Sequence, residues 1–348
     1  IESLAQLWDL SGSTRDADLA LARYEYENTY AKSVISGIYG GLYNVIVQAN
    51  SVLRHLEHGG DCIEDSVAFR VLQGEAFAIR AFCHLDVLRL FGQMPQNPVR
   101  KVTLPYSEDV SFKNLPRYYD YAAFCGKLES DLLAAENALS VDPVISTSLT
   151  YSGQEDDFLD FRGLRLNYYA VKALEARVLQ YIGDYKNAAI AAKVVTDQIG
   201  EKGKVFSWTN VTTVLANMDY SFFNEVVFGI NNPDMLSNYN SFYNKTDIND
   251  LYAVDRDNLV QNIYSGFGDN LKAIIDVRAR QWTESNDQGG SSVSYSQNGT
   301  YISNKFNISA NSNLPALVDF QPLIRVTEMY YIQAEAALKD GDKKTAAE

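Results

Sequence analysis

The chain has 348 residues, enough for one large domain or two small ones around a sizeable core. Its 44 acidic residues outnumber the 30 basic ones, and a net charge of −14 repels nucleic-acid phosphates and anionic lipid surfaces. Composition therefore argues against a nucleic-acid partner and against membrane contact through a basic patch. A hydrophobic fraction of 46% is ordinary for a globular protein, and three cysteines are too few for a disulfide framework. Only three histidines occur (His55, His58 and His84), so a histidine triad or a His-rich metal site is excluded from the rest of the chain. The aromatic content, with 23 Tyr, 16 Phe and 3 Trp, is the feature that needs explaining.

In chain order, Ile38, Leu42, Val45, Ile46, Ala49, Val52, Leu53 and Leu56 recur at steps of three and four, which predicts an amphipathic helix over 31–58. Gly59 and Gly60 end it. A second helix is predicted over 66–91, apolar around most of its circumference and so buried between neighbours. Gly92 suits its end, Pro95 cannot continue it, and 93–117 reads as a loop. Tyr121, Phe124, Leu128, Leu132, Ala135 and Leu139 predict a helix over 118–140. After a polar link at 141–162, residues 164–199 read as two helices joined at Gly183-Asp184-Tyr185.

That helix, Gly-Asp turn and Ala-rich helix is the layout of a tetratricopeptide (TPR) hairpin. It recurs 158 residues later: Leu174–Ala189 matches Ile332–Ala347 at six positions, among them Gly183/Gly341, Asp184/Asp342 and Ala188/Ala346. Such units bury their faces only by stacking. The expected fold is an all-α, TPR-like scaffold, with residues 1–199 as the main part and 321–348 as an incomplete last hairpin. Between them, 200–320 is rich in Asn, Ser, Tyr and Gly and largely loses helical periodicity. Only 269–281 keeps a helical look, and Glu225-Val-Val-Phe-Gly-Ile suggests a short strand. A loop-rich insertion of this length is expected to carry function.

No phosphate loop, dinucleotide fingerprint, zinc-protease motif or nucleophile elbow is present. His55 and His58 read as an exposed helix end, and Cys83 and Cys125 as buried thiols. Glu155-Asp156-Asp157 reads as a solvated acidic run, with no productive carboxylate pair identifiable. No cofactor or metal is implied. Glu75 and Arg80 lie in the apolar second helix and must be paired; a carboxylate from another repeat, with Glu335 as one candidate, is the expected partner of Arg80. In the insertion, aromatic rings alternate with amides and charges. That mixture suits sugar rings and hydroxyls, or peptides. The candidate ligand-binding residues are Trp208, Tyr239, Asn240, Tyr243, Tyr252, Arg256 and Trp282. More than half of the aromatic rings in this region are expected to form a small core under the loops.

The segment from Gly74-Glu-Ala-Phe-Ala-Ile-Arg-Ala-Phe to Leu90-Phe-Gly-Gln-Met-Pro95 resembles the signature of the SusD/RagB family. Leu42-Tyr-Asn-Val-Ile-Val-Gln-Ala-Asn is similar to that family's preceding helix, and Leu128-Glu-Ser-Asp-Leu to a later one. Asp276-Val-Arg278 and Arg325-Val-Thr-Glu-Met-Tyr-Tyr-Ile-Gln-Ala-Glu-Ala complete five blocks in family order. The resemblance implies an outer-membrane, cell-surface lipoprotein of Bacteroidetes without enzymatic activity. It would bind a glycan or peptide and deliver it to a SusC-like TonB-dependent transporter. The family's lipidated N-terminal cysteine is not in this chain, which reads as a piece of a longer precursor. Ile38, Tyr39 and Gly40 stand where the family often places a tryptophan. A TPR-type adaptor and an all-α glycoside hydrolase are the alternative functional classes.

Overall fold

The computed structural model describes residues 3–5, 7–8, 10, 15–59, 63–96, 98–111, 113–146, 158–159, 162–163, 165–200, 204–217, 219–243, 253–255, 259, 263–264, 277–284, 300–305 and 319–347. Helix α1 (Asp16–Ala22) and the long α2 (Thr29–Gly59) lead into α3 (Ser66–Phe91). Strands β1 (Leu104–Tyr106) and β2 (Arg117–Tyr119) precede α4 (Tyr121–Leu139), α5 (Tyr168–Ile182) and α6 (Tyr185–Thr196). Then come α7 (Val211–Asn217), β3 (Val226–Asn231), α8 (Met235–Phe242), β4 (Ala253–Asp255), β5 (Trp282–Glu284), β6 (Thr300–Ser303), β7 (Phe320–Arg325), α9 (Val326–Lys339) and α10 (Lys343–Ala347). The protein is mainly helical and TPR-like, as expected.

The chain divides into two compact units. One comprises residues 38–208, 224–230 and 322–348; the other comprises 1–37, 209–223 and 231–321. Residues 1–37 therefore group with the insertion, which differs from the boundaries expected above, and strand residues 224–230 group with the helices.

In the helical unit, side-chain caps set the helix starts. The carboxylates of Asp65 and Asp120 accept from Val67 N at 2.8 Å and Ala123 N at 2.9 Å, and Asn167 Oδ1 accepts from Ala170 N at 2.9 Å. The repeated Gly-Asp pair has a structural cause. Gly183 (φ +95°) and Gly341 (φ +82°) are left-handed and end α5 and α9, a conformation that a side chain opposes. Asp184 and Asp342 then cap the next helices by accepting from Asn187 N at 3.2 Å and Thr345 N at 3.1 Å. Helix α3 packs closely on α4: a Cβ at Gly74 would lie 2.5 Å from Leu139 Cγ. Helix α9 packs its Val326, Met329 and Ile332 face into the same core as α5 and α6.

The 93–117 stretch is more ordered than its sequence suggests. Leu104 pairs with Tyr119 and Tyr106 with Arg117 in an antiparallel ribbon. Strands of three residues, one of them containing Pro105, carry no readable alternation. Tyr106 turns inward and stacks on His84, with ring centroids 3.7 Å apart and planes at 8°. The Ser107 N–H donates to His84 Nε2 (3.1 Å) and Nδ1–H donates to the Arg80 carbonyl (3.0 Å), which leaves neutral imidazole as the only form that satisfies both bonds. Burial pushes the His84 pKa down to about 3. An unfolded histidine titrates near 6.5, so between these values the unfolded chain binds the extra proton. Stability is thus complete above about pH 6.5 and falls as pH drops toward 3. We expect His84→Gln to remove about 2 kcal/mol of the stability difference between pH 7 and pH 5, read from urea midpoints at each pH. An unchanged pH slope would refute the account.

The second unit holds several small cores. Val254, Leu259, Tyr264, Ala279 and Tyr301 form one, and Leu10, Tyr239 and Tyr243 another, with Trp8 packed against both. Strand β6 is central in a three-stranded antiparallel sheet, pairing with β4 and β5. Within 269–281, the described part, Val277–Gln281, is a 3-10 turn.

Candidate functional site

The candidate residues separate by burial. Tyr239 is 2% exposed and stacks on Tyr243, also buried, at 5.7 Å; its hydroxyl lies 3.0 Å from Asn304 Oδ1. A stacking platform needs an open ring face, so these two tyrosines are core residues, contrary to their expected role. Trp282 is half-buried 6.2 Å from Trp8, and its indole N–H is buried without a hydrogen-bond partner among the described residues. Asn240 is exposed on α8. Tyr252 and Arg256 lie outside the described residues, as do Cys62, Asp276 and the 155–157 acidic run.

Among the described candidates, Trp208 offers an accessible ring, 54% exposed. Phe206, two residues earlier, is buried in the helical core and pairs through its backbone with Gln198 and Gly200, which anchors the segment. Trp208 lies against Tyr330 of α9, with centroids 5.6 Å apart and planes tilted by 33°. Tyr330 and Tyr331 fall off the buried α9 face and are 41% and 64% exposed. The Lys193–Asp197 ion pair (2.5 Å) is solvent-exposed on α6. Tyr330 interacts electrostatically with both of its members: burial and the Asp197 carboxylate push its hydroxyl pKa up, against Lys193. Two tilted rings beside a cation and a carboxylate can stack on a sugar and hydrogen-bond its hydroxyls. Tyr330 is a residue that composition missed, because it lies in a helix outside the insertion.

A second aromatic display lies just before and at the start of α2, in the other unit. Tyr24, Tyr26 and Tyr30 are all about half exposed, and Tyr24 and Tyr26 are 6.4 Å apart. Tyr24 takes φ +59°, a left-handed conformation rare for a bulky residue, and donates its hydroxyl to the Leu4 carbonyl at 3.1 Å. Asn28 caps α2 through Tyr30 N and Ala31 N.

The remaining polar chemistry of the helical unit is internal. Arg80 bonds Asp131 through Nε (2.7 Å) and Nη2 (2.5 Å) and Asn50 through Nη1 (2.9 Å). Its partner comes from α4, not from Glu335, which instead accepts from Gln180 at 2.5 Å. Glu75 meets Arg162 and Arg165. The Cys83 and Cys125 thiols are buried, which pushes them up to about 12 and about 11 and keeps them unreactive. No group of three His, Cys, Asp or Glu residues among the described residues could hold a metal ion. No helix among them is long and apolar enough to cross a membrane.

An all-α, TPR-like protein with a loop-rich second unit is the class that this fold defines. No family model matches the chain, and no curated protein matches it. Solved structures do. A SusD superfamily protein from Bacteroides thetaiotaomicron superposes with a TM-score of 0.65 at 20% identity, over 88% of this chain and 63% of its own. A putative sugar binding protein from Bacteroides vulgatus gives 0.59 at 21% identity, over 89% and 62%. A laminarin binding SusD-like protein gives 0.54 at 17% identity, over 86% and 66%. The chain has the SusD-like fold and spans less than two thirds of the first two structures' length.

Proposed function

We propose that this chain is part of a cell-surface glycan-binding protein that holds its ligand without turning it over and passes it to a SusC-like TonB-dependent transporter. The observation that carries the reading is the exposed Trp208–Tyr330 pair beside Lys193–Asp197 on a SusD-like fold. The SusD/RagB resemblance of the 74–95 segment supports the transporter partner and attachment to the outer membrane through an N-terminal lipid. Stacking would supply affinity, and the exposed ion pair would orient hydroxyls. Asn240 and Trp282 remain proposed contributors from the other unit.

The test is retardation of the protein in native gels containing polysaccharides, laminarin, starch and xylan among them. We expect at least one to retard it, and Trp208→Ala to weaken that binding by about 1–3 kcal/mol with unchanged circular dichroism. Retardation that survives in both Trp208→Ala and Tyr330→Ala would reject the platform. Binding of peptides alone would favour an adaptor, and release of oligosaccharide products would mark a glycoside hydrolase.

A further inference from the structure

A cleft of about 370 Å³ opens in the helical unit, within the size range of small-ligand pockets. It shares no residue with the Trp208 surface. One wall is a single face of α2, where Asn50, Leu53, Arg54 and Glu57 occupy positions i, i+3, i+4 and i+7. Phe77 and Arg80 of α3 form another wall, and the 108–110 loop closes the third.

The polar groups of the cleft fall into two sets. The first is already committed. Asn50 Nδ2 donates to the carbonyls of Ser107 (3.1 Å) and Asp109 (3.4 Å), and Arg80 is held by Asp131 and Asn50. The Asp109 carboxylate accepts from Val110 N, Ser111 N and Asn114 Nδ2, and Glu108 pairs with Lys127 at 2.7 Å. These groups make a floor whose geometry is fixed before any ligand arrives. The second set is uncommitted. The Arg54 guanidinium and the Glu57 carboxylate are exposed, and neither has a hydrogen bond or ion pair among the described residues, although they stand three positions apart on one helix. His58 donates Nδ1–H to the Arg54 carbonyl (3.1 Å), and its Nε2 has no hydrogen-bond partner among the described residues.

The uncommitted set holds donors and acceptors together, across the cleft from Phe77, whose ring carries the Arg80 guanidinium 5.2 Å from its centroid. An anion would face Glu57, Glu108 and Asp109, and a cation would face Arg54 and Arg80. A neutral polyol meets neither repulsion, and its hydroxyls both donate and accept. From this geometry we infer that the cleft is a second ligand site that takes a neutral monosaccharide or disaccharide, with Arg54 and Glu57 as its hydroxyl-binding pair.

Ligand-observed NMR of the purified chain tests this with glucose, galactose, mannose, maltose and lactose, against glucuronate, glycine and a short peptide. At least one neutral sugar is expected to bind. Arg54→Ala and Glu57→Ala, both exposed helix positions that accept alanine, are each expected to weaken it about tenfold, while Trp208→Ala leaves it unchanged. Circular dichroism checks that both variants fold. Sugar binding that is indifferent to both cleft variants, or no neutral-sugar binding at all, overturns the proposal. So does binding of glucuronate, glycine or the peptide in place of the neutral sugars. Trp208-dependent polysaccharide retention that persists when the cleft binds nothing leaves the proposed function standing. Cleft binding without any polysaccharide retention rejects the Trp208 surface alone.

Discussion

Replacing Asp131 by Ala is expected to cost about 3–5 kcal/mol of stability, the range for stripping a buried charge of its partner. Arg80 is almost wholly buried, and three of its nitrogens are spent on Asp131 and Asn50. Burial alone would pull its pKa down, yet the Asp131 carboxylate more than offsets this and keeps the guanidinium charged. The same carboxylate accepts from the Tyr106 hydroxyl at 2.6 Å, so its loss also strands the inward residue of the β-ribbon. Against a total stability of about 5–15 kcal/mol, the change approaches unfolding. Urea midpoints decide it: an Asp131→Ala midpoint within error of wild type would refute the argument. The double variant Arg80→Met with Asp131→Leu is expected to recover most of the loss, because no charge is then left unpaired.

Arg162→Ala is expected to be at least as damaging, again about 3–5 kcal/mol. Arg162 is 3% exposed and bonds Asp142 through Nε (3.1 Å) and Nη2 (2.5 Å) while its third nitrogen meets Glu75. Removing it leaves the buried Asp142 carboxylate without its cation and Glu75 with Arg165 alone. Asp142 would have to keep accepting from Val144 N and Tyr168 N, and Asn167 Nδ2, which donates to the Arg162 carbonyl, caps α5 with the same side chain. Arg162→Lys is expected to rescue little, because an ammonium cannot make the two-point contact to Asp142. A lysine variant as stable as wild type would show that charge alone matters there.

The helices were legible because their apolar residues repeat locally. The 66–91 expectation matches α3 to the residue, and the repeated Gly-Asp turn falls where α5 and α9 end. The missed features depend on partners far along the chain. Nothing near Arg80 distinguishes Asp131 from Glu335, since both are acidic residues on helices. Nothing near Leu104 reveals that it pairs with Tyr119. The aromatic excess located a region, but composition does not report burial, so Tyr239 and Trp208 looked equivalent while one is core and the other is surface. Tyr24, Tyr26 and Tyr30 escaped notice because they precede the first strongly periodic segment, and Tyr330 because its helix matched a repeat.

Helix α3 is apolar around most of its girth, and a surface of that kind grips its neighbours in many nearly equivalent ways. Glu75 and Arg80 stand five positions apart on it, opposite in sign, and reach to residues 162 and 165 on one hand and 131 on the other. A slide or roll of α3 by one residue parts both contacts together and leaves Glu75, Arg80 and Asp131 buried and unmatched. The oil-like packing makes the helix stay inside, and the two ionic contacts tell it where to stop. They select one arrangement from a family of near misses, and this choice of arrangement carries the β-ribbon, His84 and the cleft wall into place with it.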